Sequence, residues 1–159
     1  MTRIRINDLD PSFKHRVAKQ PGGEGITACF ACKACTAACP IKGVADRYDP
    51  RKIIRMALLG MKKEVLESDF LWLCSACYGC HEVCPQNVSF TEVMFAIKNL
   101  AVAEACIPPN LLGQKGLLRE HGRLYAITEF ENEKRVKLGL PPITEHPEDF
   151  SVLLGPDES

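Results

Sequence analysis

The chain has 159 residues, 46% of them apolar, and its 20 lysine and arginine residues are balanced by 20 aspartate and glutamate residues. This length fits one domain or a small domain with an extension, and the even charge argues against a nucleic-acid-binding protein. No segment has the roughly 20 consecutive apolar residues of a membrane-spanning helix, and the amino terminus has no apolar run typical of a secretory signal. We therefore expect a cytoplasmic protein with no membrane span and no nucleic-acid partner.

The first predicted helix begins at Asp10-Pro11 and runs to about Ala18. An acidic N-cap followed by proline at the first helical position is typical of a helix start. A glycine-rich segment over residues 20–25 comes next. No strand is predicted before it and no Gly-Lys-Ser/Thr sequence follows it, so we interpret it as a loop and not as a phosphate site.

Eight of the nine cysteines form two copies of the pattern C-x-x-C-x-x-C-x-x-x-C-P. The first copy contains Cys29, Cys32, Cys35 and Cys39, and the second contains Cys74, Cys77, Cys80 and Cys84. Each cysteine of the second copy follows its counterpart by 45 residues, which is an internal repeat without slippage. The ninth cysteine, Cys106, lies outside both copies and is predicted to be a small buried apolar residue.

One helix is predicted between the two copies and another after the second copy. Asp49-Pro50 repeats the N-cap and proline signal, and apolar residues then recur at helical spacing: Ile53, Ile54, Ala57, Leu58 and Met61. Ser89 and Glu92 have the pattern of a capping box ahead of an apolar helix over residues 93–105, whose default role is in the core. These helices favour an all-α domain over a small ferredoxin built from strand hairpins.

Residues 107–159 are rich in proline and have few periodic apolar residues. We predict a helix over about 119–138, with Glu131/Arg135 and Glu133/Lys137 as i,i+4 pairs. A segment of this kind buries little surface by itself. The sequence therefore predicts a helical domain over residues 1–106 and an extended, partly helical extension over residues 107–159 that packs on a partner subunit.

The spacing of the thiols distinguishes three kinds of site. A disulfide framework needs an oxidising compartment. A structural zinc site typically takes two separated C-x-x-C pairs, whereas each copy here gathers three thiols on one short loop. The pattern is that of the bacterial ferredoxins, where it binds a [4Fe–4S] cluster. We therefore predict two [4Fe–4S] clusters and keep a zinc-stapled interaction protein as the weaker alternative.

In the bacterial pattern, the fourth cysteine of each copy binds the cluster of the other copy. Carried over to this chain, the pattern assigns cluster one to Cys29, Cys32, Cys35 and Cys84, and cluster two to Cys74, Cys77, Cys80 and Cys39. Neither copy then completes its cluster alone, so folding and metal binding are coupled. Four thiolates occupy all the irons of each cluster. This favours electron transfer in a chain with no catalytic residues of its own.

Charge is divided unevenly between the two copies. Residues 29–63 contain eight basic and two acidic residues, a net charge of +6, whereas residues 64–106 contain one basic and six acidic residues, a net charge of −5. Basic residues such as Lys33 therefore surround the first copy. Since nearby positive charge favours the more negative, reduced state of a cluster, we hypothesise that cluster one has the higher reduction potential.

From Asp10 to about Ala103, the sequence resembles the HdrC family, the small iron–sulfur subunits of heterodisulfide reductase, which are helical ferredoxins with two [4Fe–4S] clusters. The resemblance rests on the segments DPSFKHRVA, CFACKACTAACP, DPRKIIRMALLG, WLCSACYGCHEVCP and TEVMFAIKNLA. Succinate dehydrogenase iron–sulfur subunits have a further plant-type cluster motif, which is missing here. Glycerol-3-phosphate dehydrogenase and glycolate oxidase subunits have a cysteine-rich CCG module, and this sequence contains no Cys-Cys pair.

The resemblance implies a small relay protein in a hetero-oligomeric oxidoreductase of anaerobic metabolism. Such a protein passes electrons from a flavin-bearing subunit (HdrA) to the CCG-containing subunit (HdrB), where the disulfide chemistry occurs. Two other functions fit the cysteine pattern. One is a free, diffusible ferredoxin, and the other is the iron–sulfur subunit of a different dehydrogenase complex.

Overall fold

A computed structural model describes residues 4–155, which contain helices and no strand; this confirms the predicted all-α class. The α-helices are α1 (Phe13–Ala18), α2 (Ala34–Ala37), α3 (Pro40–Val44), α4 (Pro50–Leu58), α5 (Lys62–Leu66), α6 (Gly79–Glu82), α7 (Phe90–Ala103), α8 (Pro109–His121), α9 (Glu129–Lys137) and α10 (Ser151–Leu154). Short 3-10 helices cover Ile6–Asp8, Glu24–Ala28, Asp69–Leu73 and Pro147–Phe150. None of the helices in this part of the chain has the length and apolar character needed to cross a membrane.

The chain divides into two compact units between Cys106 and Ile107. The first unit contains both copies of the cysteine pattern and helices α1 to α7, and the second contains α8 to α10. Every buried side chain among residues 4–155 lies in the first unit, between Phe13 and Ala101. The hydrophobic core of the described chain is therefore the core of the cysteine-bearing unit.

Helix α7 supplies much of this core, as its apolar sequence predicted. Seven of its apolar side chains are at most 8% exposed: Phe90, Val93, Met94, Ala96, Ile97, Leu100 and Ala101. Helices α1, α5 and α6 pack against it. Cys106, just beyond the end of α7, is half-buried against the same core, which agrees with its predicted role as a small apolar residue.

Helix α4 begins as predicted. The carboxylate of Asp49 accepts a hydrogen bond from the backbone N–H of Lys52 at 3.0 Å, and Pro50 is the first helical residue. After the helix, Gly60 has a φ of +78° and its carbonyl accepts the N–H of Asp10 at 2.7 Å. A Cβ atom at Gly60 would lie 2.3 Å from the Asp10 carbonyl oxygen. Only glycine therefore permits these two segments to cross so closely.

The predicted start of α1 is displaced by two residues. Asp10 accepts hydrogen bonds from the backbone N–H of Ser12 at 2.9 Å and from its hydroxyl at 2.5 Å. This local turn, in which an aspartate side chain binds the backbone two residues on, precedes the helix. Ser12 is the N-cap residue, and the helix begins at Phe13.

The predicted capping box at the start of α7 is wrong, because both of its side chains have other partners. Glu92 accepts a hydrogen bond from the Tyr78 hydroxyl at 2.9 Å. The Ser89 hydroxyl lies 3.4 Å from Nε2 of His81. Both partners belong to the second cysteine loop, so these two side chains fix that loop to α7 and leave the helix without a side-chain cap.

The helix predicted over residues 119–138 is two helices. Helix α8 starts earlier, at Pro109, and ends where Gly122 adopts a φ of +65°, a common helix terminator. Helix α9 starts after Thr128, which forms a capping box with Glu131. The residues between the two helices are irregular. Among them, the backbone N–H of Ile127 donates a hydrogen bond to the Glu145 carboxylate at 2.9 Å.

One of the two ion pairs predicted in this region is present. Glu133 and Lys137 lie 3.9 Å apart in α9. Glu131 binds Thr128 in the capping box, and Nε of Arg135 donates to the Pro141 carbonyl at 2.9 Å. The predicted Glu131–Arg135 pair is wrong because each of the two side chains forms hydrogen bonds with another residue.

Candidate metal centres

A cavity lies beside the first cysteine loop. Its walls include three cysteines of the first copy, Cys29, Cys32 and Cys35, together with Cys84 from the second copy. The loop reaches this position between the 3-10 turn Glu24–Ala28 and helix α2. All four cysteines predicted to bind cluster one therefore border a single space.

A second cavity lies beside the second cysteine loop. Its walls include Cys74, Cys77 and Cys80 from the second copy and Cys39 from the first. Cys80 borders both cavities, which makes them neighbours. In each case the structure brings the fourth cysteine of one copy to the cavity of the other copy.

The two loops repeat each other in backbone conformation as well as in sequence. Ala31 and Lys33 have φ angles of 61° and 80°, and the residues 45 positions later, Ala76 and Tyr78, have φ angles of 52° and 60°. Left-handed residues at such positions turn successive backbone N–H groups to one side and form concavities that suit anions, including iron–sulfur sites. The backbone of each loop thus fits a negatively charged cluster.

Two of the cysteine sulfurs have hydrogen-bond partners. The backbone N–H of Val88 donates to Sγ of Cys84 at 3.2 Å, and Sγ of Cys80 lies 3.4 Å from the Thr91 hydroxyl, which is buried. Hydrogen bonds to ligand sulfur orient it and alter the potential of a bound cluster.

Burial raises the pKa of the Cys35 thiol to about 11 and raises that of Cys80 as well. Without a cation, both groups keep their protons at neutral pH. A coordinating metal removes the proton from a thiol outright. These buried thiols are therefore better suited to bind a metal group than to act as free thiolates.

The arrangement of donors does not suit a single metal ion. None of the nine cysteines forms a disulfide. Among residues 4–155, no group of three or more His, Cys, Asp or Glu side chains is close enough to hold a metal ion. Zinc needs such a group because it binds each ligand at about 2.0–2.3 Å, whereas a four-iron cluster separates its four thiolates by the width of a cube.

A buried threonine connects the first loop to the start of α4. The Thr36 hydroxyl donates to the Asp49 carboxylate at 2.6 Å and accepts the backbone N–H of Arg51 at 3.2 Å. Burial alone would raise the pKa of Asp49, but the hydrogen bonds from Thr36 and the Lys52 backbone hold it below its ordinary value. This network fixes the amino end of α4 between the two cavities.

Two residues at this helix start belong to the site: Arg51, which is among the basic residues that the sequence places near the first copy, and Tyr48, which was not predicted from the sequence. Arg51 lines the first cavity and Tyr48 lines the second. Burial raises the pKa of the Tyr48 phenol, and the neighbouring Cys74 raises it further, so the hydroxyl keeps its proton. The Asp49-Pro50 signal located the helix start correctly, but it carries no information on which side chains turn towards the thiols.

The two cavities differ in charge. Lys33 and Arg51 line the first, whereas the described residues around the second include no charged side chain. Other basic residues near the first loop have acidic partners of their own: Lys42 lies 3.2 Å from Asp46, and Arg47 lies 2.7 Å from Asp69. Of the eight basic residues counted between residues 29 and 63, two line the first cavity, Lys33 and Arg51.

Comparison with known proteins gives matches to one kind of protein. A family model described as a 4Fe-4S dicluster domain matches residues 24–88. The C-type subunit of the H(2):CoB-CoM heterodisulfide,ferredoxin reductase of Methanothermobacter thermautotrophicus is 35% identical over 144 residues, which cover 89% of this chain and 77% of the relative.

Two further relatives have related names. The second C-type iron–sulfur subunit of the CoB--CoM heterodisulfide reductase of Methanocaldococcus jannaschii is 32% identical over 89% of this chain and 78% of its own length. A protein of Archaeoglobus profundus, named for its likeness to the same heterodisulfide reductase subunit, is 36% identical over 79% of this chain and 65% of its own length. Together with the dicluster family model, these matches show that the chain binds two [4Fe–4S] clusters.

Proposed function

The chain belongs to the HdrC family of heterodisulfide reductase subunits, and from this premise we propose that it is a relay subunit of a heterodisulfide reductase or a related complex. In this proposal it passes single electrons between a flavin-bearing partner of the HdrA type and a partner of the HdrB type, which performs disulfide or thiol chemistry. The main support is the pair of neighbouring cavities, lined by five and four cysteines, each drawn from both copies of the pattern. When bound, [4Fe–4S] clusters accept and release electrons one at a time.

The proposal keeps the crossed ligand sets. Cluster one takes Cys29, Cys32, Cys35 and Cys84, and cluster two takes Cys74, Cys77, Cys80 and Cys39. The cavity walls support this division, because all four members of each set border the same cavity; Cys80 of the second set borders the first cavity as well. The left-handed residues of both loops support it as well, since they shape the backbone for an anionic group in each loop.

In this proposal the chain contributes no catalytic residue. Each cluster has four thiolates for its four irons, which leaves no iron position for a substrate. The disulfide chemistry is therefore assigned to the HdrB-type partner. A cytoplasmic location accords with nine cysteines that form no disulfide, because cysteines stay reduced in that compartment.

We also propose that residues 107–159 bind a partner subunit. No side chain of residues 107–155 is buried in the described structure, and large apolar side chains are more than half exposed there. They are Leu112, Leu124, Tyr125, Phe130, Val136, Leu138, Val152 and Leu153. Exposed apolar side chains in this number are typical of a surface that another protein covers.

Anaerobic co-expression of the full chain with its HdrA-type and HdrB-type partners tests the proposal. We expect the three proteins to purify as one complex. We also expect electrons supplied to the flavin of the first partner to reach the disulfide substrate of the second only when this chain is present. If the chain behaves as a monomer that binds neither partner, the free-ferredoxin alternative is correct and the proposal is wrong.

A pair of variants in helix α9 tests the role of the extension. Val136 is 59% exposed, and Glu133 is an exposed polar residue of the same helix. Val136→Ser is expected to weaken the complex, whereas Glu133→Ser is expected to leave it unchanged. Both chains should keep the iron content and helix content of the original. Equal binding by Val136→Ser and the original chain would argue against a partner contact at this surface.

A further inference from the structure

The Tyr48 hydroxyl is a buried donor with no hydrogen-bond partner of acceptable geometry among residues 4–155. Its side chain is 1% exposed. The Cys74 thiol is a polar neighbour that raises the pKa of the phenol, but its contact with the hydroxyl does not meet hydrogen-bond geometry. Buried hydroxyl groups in native proteins nearly always have a partner. The side chain lines the second cavity, so a partner held there would satisfy the hydroxyl.

A second such donor occurs at the first cavity. Nε of Arg51 is buried and has no hydrogen-bond partner among the described residues, and the side chain lines the cavity bordered by Cys29, Cys32 and Cys35. The backbone N–H of Arg51 is already used by Thr36. The network of Thr36 and Asp49 thus fixes the backbone at this point and leaves the guanidinium group for the cavity.

We propose that these two buried donors, the Tyr48 hydroxyl and Nε of Arg51, each donate a hydrogen bond to a sulfur atom of the cluster in the cavity they line. Sulfur is the acceptor that both cavities offer, because cysteines make up much of their walls and the other wall residues are mainly apolar. The two donors stand three positions apart at the start of α4. One short segment therefore serves both clusters.

The two donors have unequal effects on the clusters. A hydrogen bond to sulfur stabilises the more negative, reduced state and raises the reduction potential. The Arg51 donor is charged and the Tyr48 donor is neutral, and charge-assisted hydrogen bonds are the stronger kind. The donors therefore raise the potential of cluster one more than that of cluster two, which gives a structural cause for the order hypothesised from the charge distribution.

Tyr48→Phe removes the hydroxyl and keeps the ring that fills the core. We expect this variant of the full chain, prepared anaerobically with both clusters, to retain its iron content. In a redox titration followed by electron paramagnetic resonance, the midpoint potential of cluster two should become more negative while that of cluster one stays constant. An unchanged midpoint for cluster two would overturn the assignment of Tyr48.

Arg51→Lys keeps the positive charge and removes the Nε donor. The midpoint of cluster one should become more negative in this variant and fall further in Arg51→Gln, with cluster two unaffected in both. Arg47→Lys is the matched control, because Arg47 is exposed and paired with Asp69, and it should change neither midpoint. If the midpoint potential of cluster one in Arg51→Lys equals that of the original chain, the charge of residue 51 alone affects the cluster and the proposed hydrogen bond from Nε is contradicted.

This inference rests on the proposed ligand sets, and the two can fail separately. Two [4Fe–4S] clusters contain about eight iron atoms. An iron content well below this number in the original chain would contradict the ligand sets. Full iron content with unchanged midpoints in Tyr48→Phe and Arg51→Lys would contradict the two donors and leave the ligand sets standing.

Discussion

The two cysteine loops share one ligand spacing and one backbone conformation, but their surroundings differ. Both place left-handed residues at positions 45 apart. Lys33 and Arg51 line the cavity of the first loop, and uncharged side chains line that of the second. The second loop is instead tied to α7, through the Tyr78–Glu92 hydrogen bond and the contact of Thr91 with Cys80.

This difference separates two properties of a cluster site. The spacing of the cysteines and the fold of the loop determine which group is bound, and both are repeated here. Charge, burial and hydrogen bonds near the sulfurs determine the potential of that group, and these are not repeated. A duplicated binding pattern can therefore provide two centres of unlike potential within a single small unit.

The largest effect is expected from removing the fourth cysteine of a copy. Cys84→Ser should abolish or convert the same spectroscopic signal as Cys32→Ser, although residue 84 belongs to the second copy, because both residues border the first cavity. Cys106→Ser should retain both signals. Iron analysis and electron paramagnetic resonance of anaerobic protein provide the comparison. If Cys84→Ser affects the same signal as Cys74→Ser, the ligand sets are not crossed.

Each loop has one buried threonine nearby, and we expect the two to differ in effect. Thr36→Val leaves the Asp49 carboxylate and the Arg51 N–H without their partner, so it should lower the free energy of unfolding by about 1–3 kcal/mol. Thr91→Val removes only a weak contact with Cys80 sulfur and should cost less than about 1 kcal/mol while lowering the potential of cluster two. Chemical denaturation of the holoprotein measures both.

The loss of unfolding free energy in Thr36→Val should be the same from pH 6 to pH 8. The pKa of Asp49 is lowered from its ordinary 3.8 in the folded chain. Its stabilising contribution is therefore complete above the unfolded pKa and is lost only as pH falls through the lower folded value. A stability difference between Thr36→Val and the original chain that varies across pH 6–8 would show that another titrating group is involved.

A smaller change in stability is expected from placing glycine at the left-handed positions that both loops share, and it should be equal in the two loops. A non-glycine residue in this conformation costs about 1–2 kcal/mol, and the greater freedom of unfolded glycine offsets about 0.5–1 kcal/mol. Ala31→Gly and Ala76→Gly should therefore each stabilise the holoprotein by up to about 1 kcal/mol. Ala34→Gly, inside α2, should destabilise it. Unequal results at residues 31 and 76 would show that the two backbones differ in strain.

Exchanging Lys33 and Tyr78, which occupy equivalent positions, should give the smallest effect. Lys33→Tyr should lower the potential of cluster one and Tyr78→Lys should raise that of cluster two. A unit charge about 10 Å away in water contributes about 0.4 kcal/mol, or roughly 20 mV for one electron. The shifts should shrink at high salt. In Lys33→Glu the shift should be about twice as large, and an unchanged midpoint in that variant would reject the charge hypothesis.

Patterns that depend on neighbouring residues were predicted well from the sequence. The Asp49-Pro50 helix start, the apolar helix α7 and the all-helical class follow from capping chemistry and periodicity, which operate within one or two turns. The cysteine spacing was equally informative, because a repeat of 45 residues without slippage is a strong constraint on chemistry.

Features that depend on distant partners could not be predicted. Ser89 and Glu92 have the spacing of a capping box, but residues of the second loop compete for both side chains. The same holds for Arg135, which donates to the Pro141 carbonyl beyond the end of α9 where an ion pair with Glu131 was predicted. Tyr48 and Arg51 become site residues only because the fold turns the start of α4 towards the thiols.

One redox titration tests the central claim that the two centres of this relay differ in potential because their surroundings differ. Anaerobically prepared full-length protein should show two paramagnetic signals on stepwise reduction, with separate midpoints, and the signal lost in Cys32→Ser and Cys84→Ser should appear at the higher potential. A single shared midpoint, or a higher midpoint for the cluster that depends on Cys74, would contradict the account.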